Sequence, residues 1–331
     1  MPIATPGSQS PTRIPRERRS TFRQAFIFVA VLLAILGTIE CGLRFGLGLG
    51  NPVLIAADSA CMYTLKPDQN LFRFFAHTHV NHFGMRSDDV AARRAPGTLR
   101  ILFVGDSITY GTSRVDQRQL FTEVLHRELP SIVHRPVEVL NASAGGWAID
   151  NEYSYVRSRG VFQSDLVLLV LNSGDLSQRR STMAEVGVEL WPQRPSTAIE
   201  ELYLRYVKPL LFHTAIAADA GDVADQSAET TIRGNLSELD SFQALVASQG
   251  SRLVIAYVPF RMDIPDGSAH WLALLKAWTA SRHVPLLDLT SAEAPYPSQE
   301  ITLDHGVHLN AFGHLAVAHE MEKLLPALVN P

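Results

Sequence analysis

The sequence is poor in cysteine and in charge, and each shortage excludes a class of protein. Its 331 residues include only two cysteines, Cys41 and Cys61, which excludes a disulfide framework and a C-x-x-C metal or redox site. Charged residues make up 19% and hydrophobic residues 46%, so the chain is too apolar to be intrinsically disordered. The formal net charge of −4 provides no field that would hold nucleic acid. We therefore expect a folded protein that does not bind nucleic acid.

The longest hydrophobic run lies close to the N-terminus and follows a basic segment. Arginines crowd this segment, which prolines interrupt: Arg13, Arg16, Arg18, Arg19 and Arg23. A helix over 22–47 reaches the length that a bilayer span needs. The positive-inside rule then predicts a cytoplasmic tail over 1–21 and everything after residue 50 outside the cytoplasm. A signal peptide cleaved near Ala57 or Ala60 is the alternative.

Short apolar runs alternate with stretches long enough for helices from residue 99 onward. The runs cover 99–104, 137–140, 166–171, 253–258 and 284–289. Buried parallel strands give runs of this kind, and right-handed crossovers connect them. The pattern predicts an α/β fold with an open, doubly wound parallel sheet.

The remaining segments define the expected organisation of the chain. We expect a stalk and N-terminal extension over 48–97 and one large domain over 98–331. The gap between the third and fourth strands is too long for one crossover. It contains a lid-like insertion around 177–228, with helical patterns over 197–212 and 229–248. A last helix is predicted over residues 310–329.

Residues suited to catalysis follow the first two strands. Ser107 stands where the first strand ends and a helix begins, so its hydroxyl faces the crevice at the carboxyl edge of the sheet. The same position suits an N-cap serine, which is the alternative interpretation. Gly146 follows the second strand and lets a backbone N–H approach a substrate closely.

An acid and a base precede the last helix. The segment Asp304-His305-Gly306-Val307-His308 contains histidines, and a histidine can take the proton of a serine hydroxyl. An acid behind it, such as Asp304, can hold the imidazole in the required tautomer. A G-x-S-x-G elbow is absent, which argues against the usual α/β-hydrolase arrangement. His77, His79 and His82 favour a solvated loop over a metal site, and we expect no metal and no cofactor.

These blocks, in chain order, resemble those of the SGNH (GDSL-type) hydrolases. They read Gly105-Asp106-Ser107, Asn141-Ala-Ser-Ala-Gly-Gly146 and His308-Leu-Asn310-Ala-Phe-Gly313-His314. The resemblance covers about 99–329 and implies a three-layer α/β/α, flavodoxin-like fold. It further implies Ser107 as nucleophile, His308 as general base and the Gly146 N–H as an oxyanion donor. Residues 81–86, Asn-His-Phe-Gly-Met-Arg, resemble a segment of membrane-anchored bacterial members.

Two positions depart from the family's pattern. The third block reads Leu171-Asn172-Ser173-Gly174-Asp175, with Gly174 where an asparagine is expected. An oxyanion donor is therefore either missing or moved to Asn172. In the last block Asp304 lies four residues before His308, not three. A loop can absorb this residue, and the alternatives are a Ser–His dyad that uses a backbone carbonyl or assistance from His305.

The sequence thus predicts a membrane-anchored serine esterase with its active site outside the cytoplasm. Its substrate would be an acyl ester, either an acetyl group on a glycan or a lipid-like ester. An O-acyltransferase acting on a cell-envelope glycan is an alternative, because the same site can transfer an acyl group if water is excluded. A non-catalytic binding module on a degenerate hydrolase fold is a third possibility, motivated by Gly174. The sequence predicts no oligomeric state.

Overall fold

A long apolar helix precedes the folded domain. The structure, a computed structural model, describes residues 16–183, 190–212, 225–264, 268–304 and 306–329. Helix α1 covers Arg16–Cys41 and continues as a π-helical turn over Gly42–Gly46. The stretch Phe22–Gly46 is unburied and is long and apolar enough to span a membrane or to be a signal sequence. Helix α1 thus begins within the predicted tail, and residues 1–15 of that tail lie outside the described part of the chain.

Residues 48–97, the predicted stalk and N-terminal extension, pack against the rest of the chain. They contain β1 (Val53–Asp58), β2 (Met62–Leu65), β3 (Gln69–Arg73) and β4 (Ala76–Val80). The first two strands and the last two form antiparallel pairs. Apolar side chains of this segment, such as Ile55 and Tyr63, are buried in the main core. Strands this short leave no long periodic run in the sequence, so the sequence alone does not predict them.

The predicted parallel sheet is present. Its strands are β5 (Leu99–Gly105), β6 (Val137–Ser143), β7 (Leu166–Leu171), β9 (Arg252–Tyr257) and β10 (Leu286–Asp288). Between β7 and β9 in the chain, β8 (Leu190–Trp191) pairs with β1, outside this sheet. The five strands run in the order β10-β9-β7-β5-β6, and all neighbours are parallel. This is the flavodoxin-like order, so the fold prediction is confirmed.

Helices cover both faces of the sheet. They are α2 (Ser107–Tyr110), α3 (Phe121–Val133), α4 (Ile149–Arg159), α5 (Ala198–Leu202), α6 (Lys208–Phe212), α7 (Asp225–Ser248), α8 (Ser268–Arg282), α9 (Thr290–Glu293), α10 (Ser298–Ile301), α11 (Ala311–Leu324) and α12 (Pro326–Val329). One core cluster joins the sheet to α4, α7, α8 and the N-terminal extension. A second joins the opposite face to α3 and α11. The result is a three-layer α/β/α domain.

The insertion between β7 and β9 is partly described. Residues 184–189 and 213–224 lie outside the described part of the chain. Helices α5 and α6 are joined by a π-helical turn over Tyr203–Val207, where the sequence predicts one helix over 197–212. Helix α7 packs on β9 and makes the crossover. The α5–α6 segment instead contacts α1 and the turn that follows it.

Candidate active site

The carboxyl ends of three neighbouring strands meet at one edge of the sheet. Strand β5 leads into Asp106 and Ser107, and β6 leads into the glycine pair that ends at Gly146. Strand β7 leads into Asn172. Ligands of open α/β sheets bind at this edge, because the strands end there and the following helices begin. The candidate residues predicted from separate blocks of sequence therefore share one site.

Ser107, His308 and Asp304 form a continuous relay. His308 Nε2 lies 3.0 Å from Ser107 Oγ. On the other side of the ring, His308 Nδ1 lies 2.7 Å from Asp304 Oδ2. The second oxygen of the same carboxylate accepts a hydrogen bond of 2.8 Å from the His308 backbone N–H. The acid thus fixes both the ring and the backbone of the histidine.

Local backbone geometry explains how a four-residue spacing brings acid and base together. The Leu303 N–H donates to the His308 carbonyl at 2.8 Å, and the Val307 N–H donates to the Asp304 carbonyl at 2.9 Å. These bonds close a tight loop that accommodates the extra residue. His305, the alternative partner in the sequence, lies outside the described residues.

Hydrogen bonds from His308 keep Asp304 ionised. Partial burial raises the pKa of this carboxyl, but the side-chain and backbone hydrogen bonds from His308 lower it, and the Arg114 charge lowers it further. The net pKa lies below the usual range of an aspartate. A carboxylate at this position can stabilise an imidazolium when His308 takes up a proton.

Ser107 is the first residue of α2, and Asp106 is the N-cap of that helix. The Asp106 Oδ1 atom accepts a hydrogen bond of 2.8 Å from the Ile108 N–H. The interpretation of Ser107 as a simple cap is thereby disfavoured, since the preceding aspartate performs that task. The Ser107 hydroxyl instead faces the histidine.

The glycine loop after β6 is held close to Ser107. Its backbone is fixed through two carbonyls: the Tyr63 hydroxyl donates to the Gly145 carbonyl at 2.9 Å, and Gln178 Nε2 donates to the Gly146 carbonyl at 3.1 Å. A Cβ on Gly145 would lie 4.0 Å from the Ser107 Cβ. Gly146 adopts a φ of 81°, which favours glycine. Within the described residues its N–H donates no hydrogen bond.

The side chain of Asn172 is fully engaged in hydrogen bonds. Its Nδ2 donates to Asp106 Oδ2 and to Asp175 Oδ1, both at 3.0 Å. Its Oδ1 accepts from the Gly174 N–H at 2.7 Å. Both amide hydrogens are therefore committed to carboxylates, which favours the alternative in which Asn172 has not taken over as an oxyanion donor.

Three buried acids lie beneath the site. Burial raises the pKa of Asp106, Asp175 and Glu152, and the proximity of the other carboxylates raises the pKa of Asp175 and Glu152 further. Both oxygens of Glu152 are buried without a partner among the described side chains. Burial therefore favours the protonated form of Glu152. Nothing in its helical sequence context singles it out.

Tyr63 and Arg86, both in the N-terminal extension, also shape the site and were not predicted. The Arg86 guanidinium donates to the Thr112 and Val115 carbonyls at 2.5 and 2.7 Å. These two carbonyls lie in the loop that follows α2. Arg86 belongs to the segment noted above for its resemblance to membrane-anchored hydrolases, and this motif was the only available signal for it.

No metal cluster is found among the described residues. Of the loop histidines, His77 Nδ1 lies 3.0 Å from the Asp116 carboxylate, and His79 lies 4.0 Å from Asp89. His77 and His79 thus each face a different acid.

Comparison with solved structures consistently finds lipolytic proteins and esterases at low sequence identity. A lipolytic protein of the G-D-S-L family from Veillonella parvula is 15% identical, with 69% of this chain and 97% of that chain covered and a TM-score of 0.43. A lipase/acylhydrolase from Enterococcus faecalis is 16% identical, with 70% and 98% covered and a TM-score of 0.45. A catalytic mutant of an acetylxylan esterase from Geobacillus stearothermophilus is 13% identical, with 68% and 93% covered and a TM-score of 0.42.

No protein-family profile matches the chain, and no curated protein matches it in sequence. At the level of similarity found among solved structures, the likeness decides neither activity nor substrate. Both questions rest on the geometry of the site.

Proposed function

We propose that this protein is a serine esterase in which Ser107, His308 and Asp304 act together. The observation that carries the proposal is the relay of 3.0 and 2.7 Å from the serine hydroxyl through the imidazole to the carboxylate. Such a relay activates a serine hydroxyl, which is a weak nucleophile on its own. A formed relay also weighs against the non-catalytic binding module.

The proposed reaction has two half-steps. Ser107 Oγ attacks the acyl carbonyl while His308 Nε2 takes the hydroxyl proton, and the same proton is then given to the leaving alcohol. Water then attacks the resulting acyl-serine while His308 takes its proton. The bond between the acyl group and Ser107 Oγ breaks, Oγ regains the proton from His308, and the carboxylic acid is released. Asp304 stays ionised throughout and stabilises the imidazolium.

Backbone groups are the proposed oxyanion donors. The N–H of Gly146 lies in the loop beside Ser107, and the N–H of Ser107 lies at the start of α2. Donors of this kind stabilise charge that develops on the carbonyl oxygen in the transition state. The side-chain donor expected at position 174 is absent, because that residue is glycine.

Water access favours hydrolysis over acyl transfer. The side chains of His308 and Asp304 are 27% and 42% exposed. Transfer to a sugar hydroxyl requires that water be kept from the acyl-serine, and a relay this open does not exclude it. We therefore propose an ester hydrolase whose substrate is an acetylated glycan or a lipid-like ester.

We also propose that α1 is retained as a membrane anchor. The Glu40 carboxylate accepts hydrogen bonds of 2.9 and 3.0 Å from the N–H groups of Ala198 and Ile199, so the end of α1 belongs to the folded unit. Cleavage near Ala57 would sever β1, whose Val53 and Ile55 are buried. The arginines at the N-terminal end of α1 favour an orientation with the site outside the cytoplasm. Protease added to spheroplasts should then digest the domain, and protection would contradict this orientation.

The proposed activity is tested with the full chain in detergent and a short soluble ester, p-nitrophenyl acetate. We expect turnover by the wild type and a loss of about 10³-fold or more in Ser107→Ala, which removes the nucleophile. Release of free acetate without transfer to added sugars would identify hydrolysis. Equal rates for the wild type and Ser107→Ala would refute the proposal.

A further inference from the structure

An apolar cavity lies where the N-terminal helix meets the domain. It has a volume of about 450 Å³, within the range of small-molecule sites. It is lined by Leu47, Leu49, Phe74, Arg114, Leu202 and Tyr206. These residues come from the exit of the helix, the turn between β3 and β4, the loop after α2, and the α5–α6 segment.

Buried polar contacts fix the walls of this cavity. The Phe74 N–H donates to the Leu47 carbonyl at 3.0 Å, which ties the turn to the helix exit. The Arg73 guanidinium donates to the Gly48 carbonyl at 2.7 Å and pairs with Glu201 of α5 at 2.5 Å. Glu201 also accepts from the Gly50 N–H at 2.6 Å. The cavity is therefore a built feature of the fold.

The same segments that line the cavity also carry large apolar side chains that are exposed. Phe45, Phe75, Leu210 and Leu211, which we term the apolar collar, are between 63% and 79% exposed. Phe45 lies in the last turn of the candidate membrane span, Phe75 in the β3–β4 turn, and the two leucines on α6. Side chains of this kind next to a membrane span are typical of an interfacial surface.

One residue that lines the cavity, Arg114, also acts electrostatically on the proposed catalytic site. Arg114 lies on the loop between α2 and α3, seven residues beyond Ser107 in the chain. The charge of Arg114 is close enough to Asp304 to lower the pKa of that carboxyl. A chain bound in the cavity would thus lie near the relay.

We propose that the apolar collar enters the outer leaflet and that the cavity takes up one acyl chain of a membrane lipid. The occupant is a bilayer lipid because Phe45 of the collar belongs to the candidate span and the α5–α6 segment, which carries the two leucines, contacts α1. Helix α1 therefore holds the cavity at the level of the bilayer. As an assignment of substrate class this proposal rests on the proposed esterase function. The proposal that the cavity binds an acyl chain does not depend on the esterase function.

The test uses the full chain with the substitution Ser107→Ala, which removes turnover. The protein is reconstituted in phosphatidylcholine vesicles, and a fraction of the phosphatidylcholine carries a photoreactive diazirine on one acyl chain. Crosslinked peptides are identified by mass spectrometry after illumination. We expect crosslinks at 47–49, at Phe74 and at 202–206, in addition to those on α1. Leu202→Trp, which fills the cavity, should abolish the crosslinks at the cavity residues and leave the crosslinks on α1.

A second pair of variants tests the collar. Leu210→Ser combined with Phe75→Ser should reduce cavity crosslinks, because the domain no longer enters the leaflet. The matched control is Ile132→Ser, which changes an apolar side chain on α3 that is 38% exposed. This variant should leave the cavity crosslinks unchanged.

Three results would overturn this inference: crosslinks confined to α1, cavity crosslinks that persist in Leu202→Trp, or crosslinks between two copies of the chain through the collar in place of lipid. A failure of the esterase proposal shows separately, as a wild type without ester turnover. The two failures are therefore distinguishable.

Discussion

Asn172 and Asp106 are joined side chain to side chain: Nδ2 of Asn172 donates a hydrogen bond of 3.0 Å to Oδ2 of Asp106. Because Asp106 caps α2, this bond ties the end of β7 to the helix that begins with Ser107. Asn172 also donates to Asp175, so one amide separates two buried carboxyl groups. The arrangement assigns Asn172 a positioning role.

Asn172→Ala should destabilise the fold as well as slow the reaction. Loss of the shared donor leaves Asp106 and Asp175 facing each other, at a cost of roughly 1–3 kcal/mol. Urea unfolding measures this loss, and steady-state kinetics with p-nitrophenyl acetate measures kcat and KM. A residue that acts only as an oxyanion donor behaves differently: kcat falls about 10²- to 10³-fold at unchanged stability. That outcome would contradict the positioning role.

Gly174→Asn should raise kcat, because it restores a side-chain amide where the family pattern has one. A Cβ at this position would lie 3.3 Å from Asn172 Oδ1 and 3.6 Å from Phe260 Cε2, so the residue fits with small adjustments. We expect kcat to rise by about tenfold or more, which is less than the effect of removing one oxyanion donor from an enzyme. Gly174→Ala adds the Cβ without the amide and is the control. Equal kcat values for the two variants would show that no donor is missing.

Tyr63→Phe tests whether the N-terminal extension positions the glycine loop. The variant keeps the ring against Trp147 and removes the hydroxyl that donates to the Gly145 carbonyl. We expect kcat to fall by about tenfold at a similar KM, since the loop is proposed to act on the transition state. The exposed Tyr203 supplies the control, Tyr203→Phe. An unchanged kcat in Tyr63→Phe would show that the loop keeps its position without this bond.

Glu293→Gln should make the fold more stable at high pH. Burial raises the pKa of Glu293 to about 8 from 4.5, and the folded state therefore favours the protonated acid. The contribution of protonated Glu293 to the stability of the fold is therefore complete below pH 4.5 and is lost as the pH rises through 8.

The neutral amide removes this pH dependence. The Tm of Glu293→Gln relative to wild type should therefore rise between pH 5 and pH 8, by several degrees for a loss of about 1–2 kcal/mol. Glu300→Gln, on the exposed surface of α10, is the control and should show no such trend. A constant Tm difference across this pH range would contradict a protonated Glu293.

The central sheet and the relay residues were predictable because both depend on local sequence. Each strand is a short apolar run, and Ser107, Gly146 and His308 lie in recognisable blocks at strand or helix ends. The last strand is shorter than predicted and begins at Leu286, directly after Pro285, which has no N–H for pairing.

The contacts that support the site were not predictable, since they join distant parts of the chain. Strand β1 finds its partner β8 more than a hundred residues later, and Tyr63 reaches Gly145 only in the folded state. Glu152 sits on a helix rich in polar residues, where its sequence suggests an exposed side. The hydrogen bonds of the Asn172 amide are likewise not predictable, because their two acceptors, Asp106 and Asp175, follow different strands.

Labelling of the full chain with an active-site serine phosphonate probe tests the central claim most directly. The account predicts a single labelled serine, Ser107, with labelling lost in Ser107→Ala and His308→Ala and reduced in Asp304→Asn, because activation of the hydroxyl depends on the relay. His305→Ala should reduce labelling only modestly. Labelling that persists in Ser107→Ala, or equal losses in His305→Ala and His308→Ala, would contradict the account.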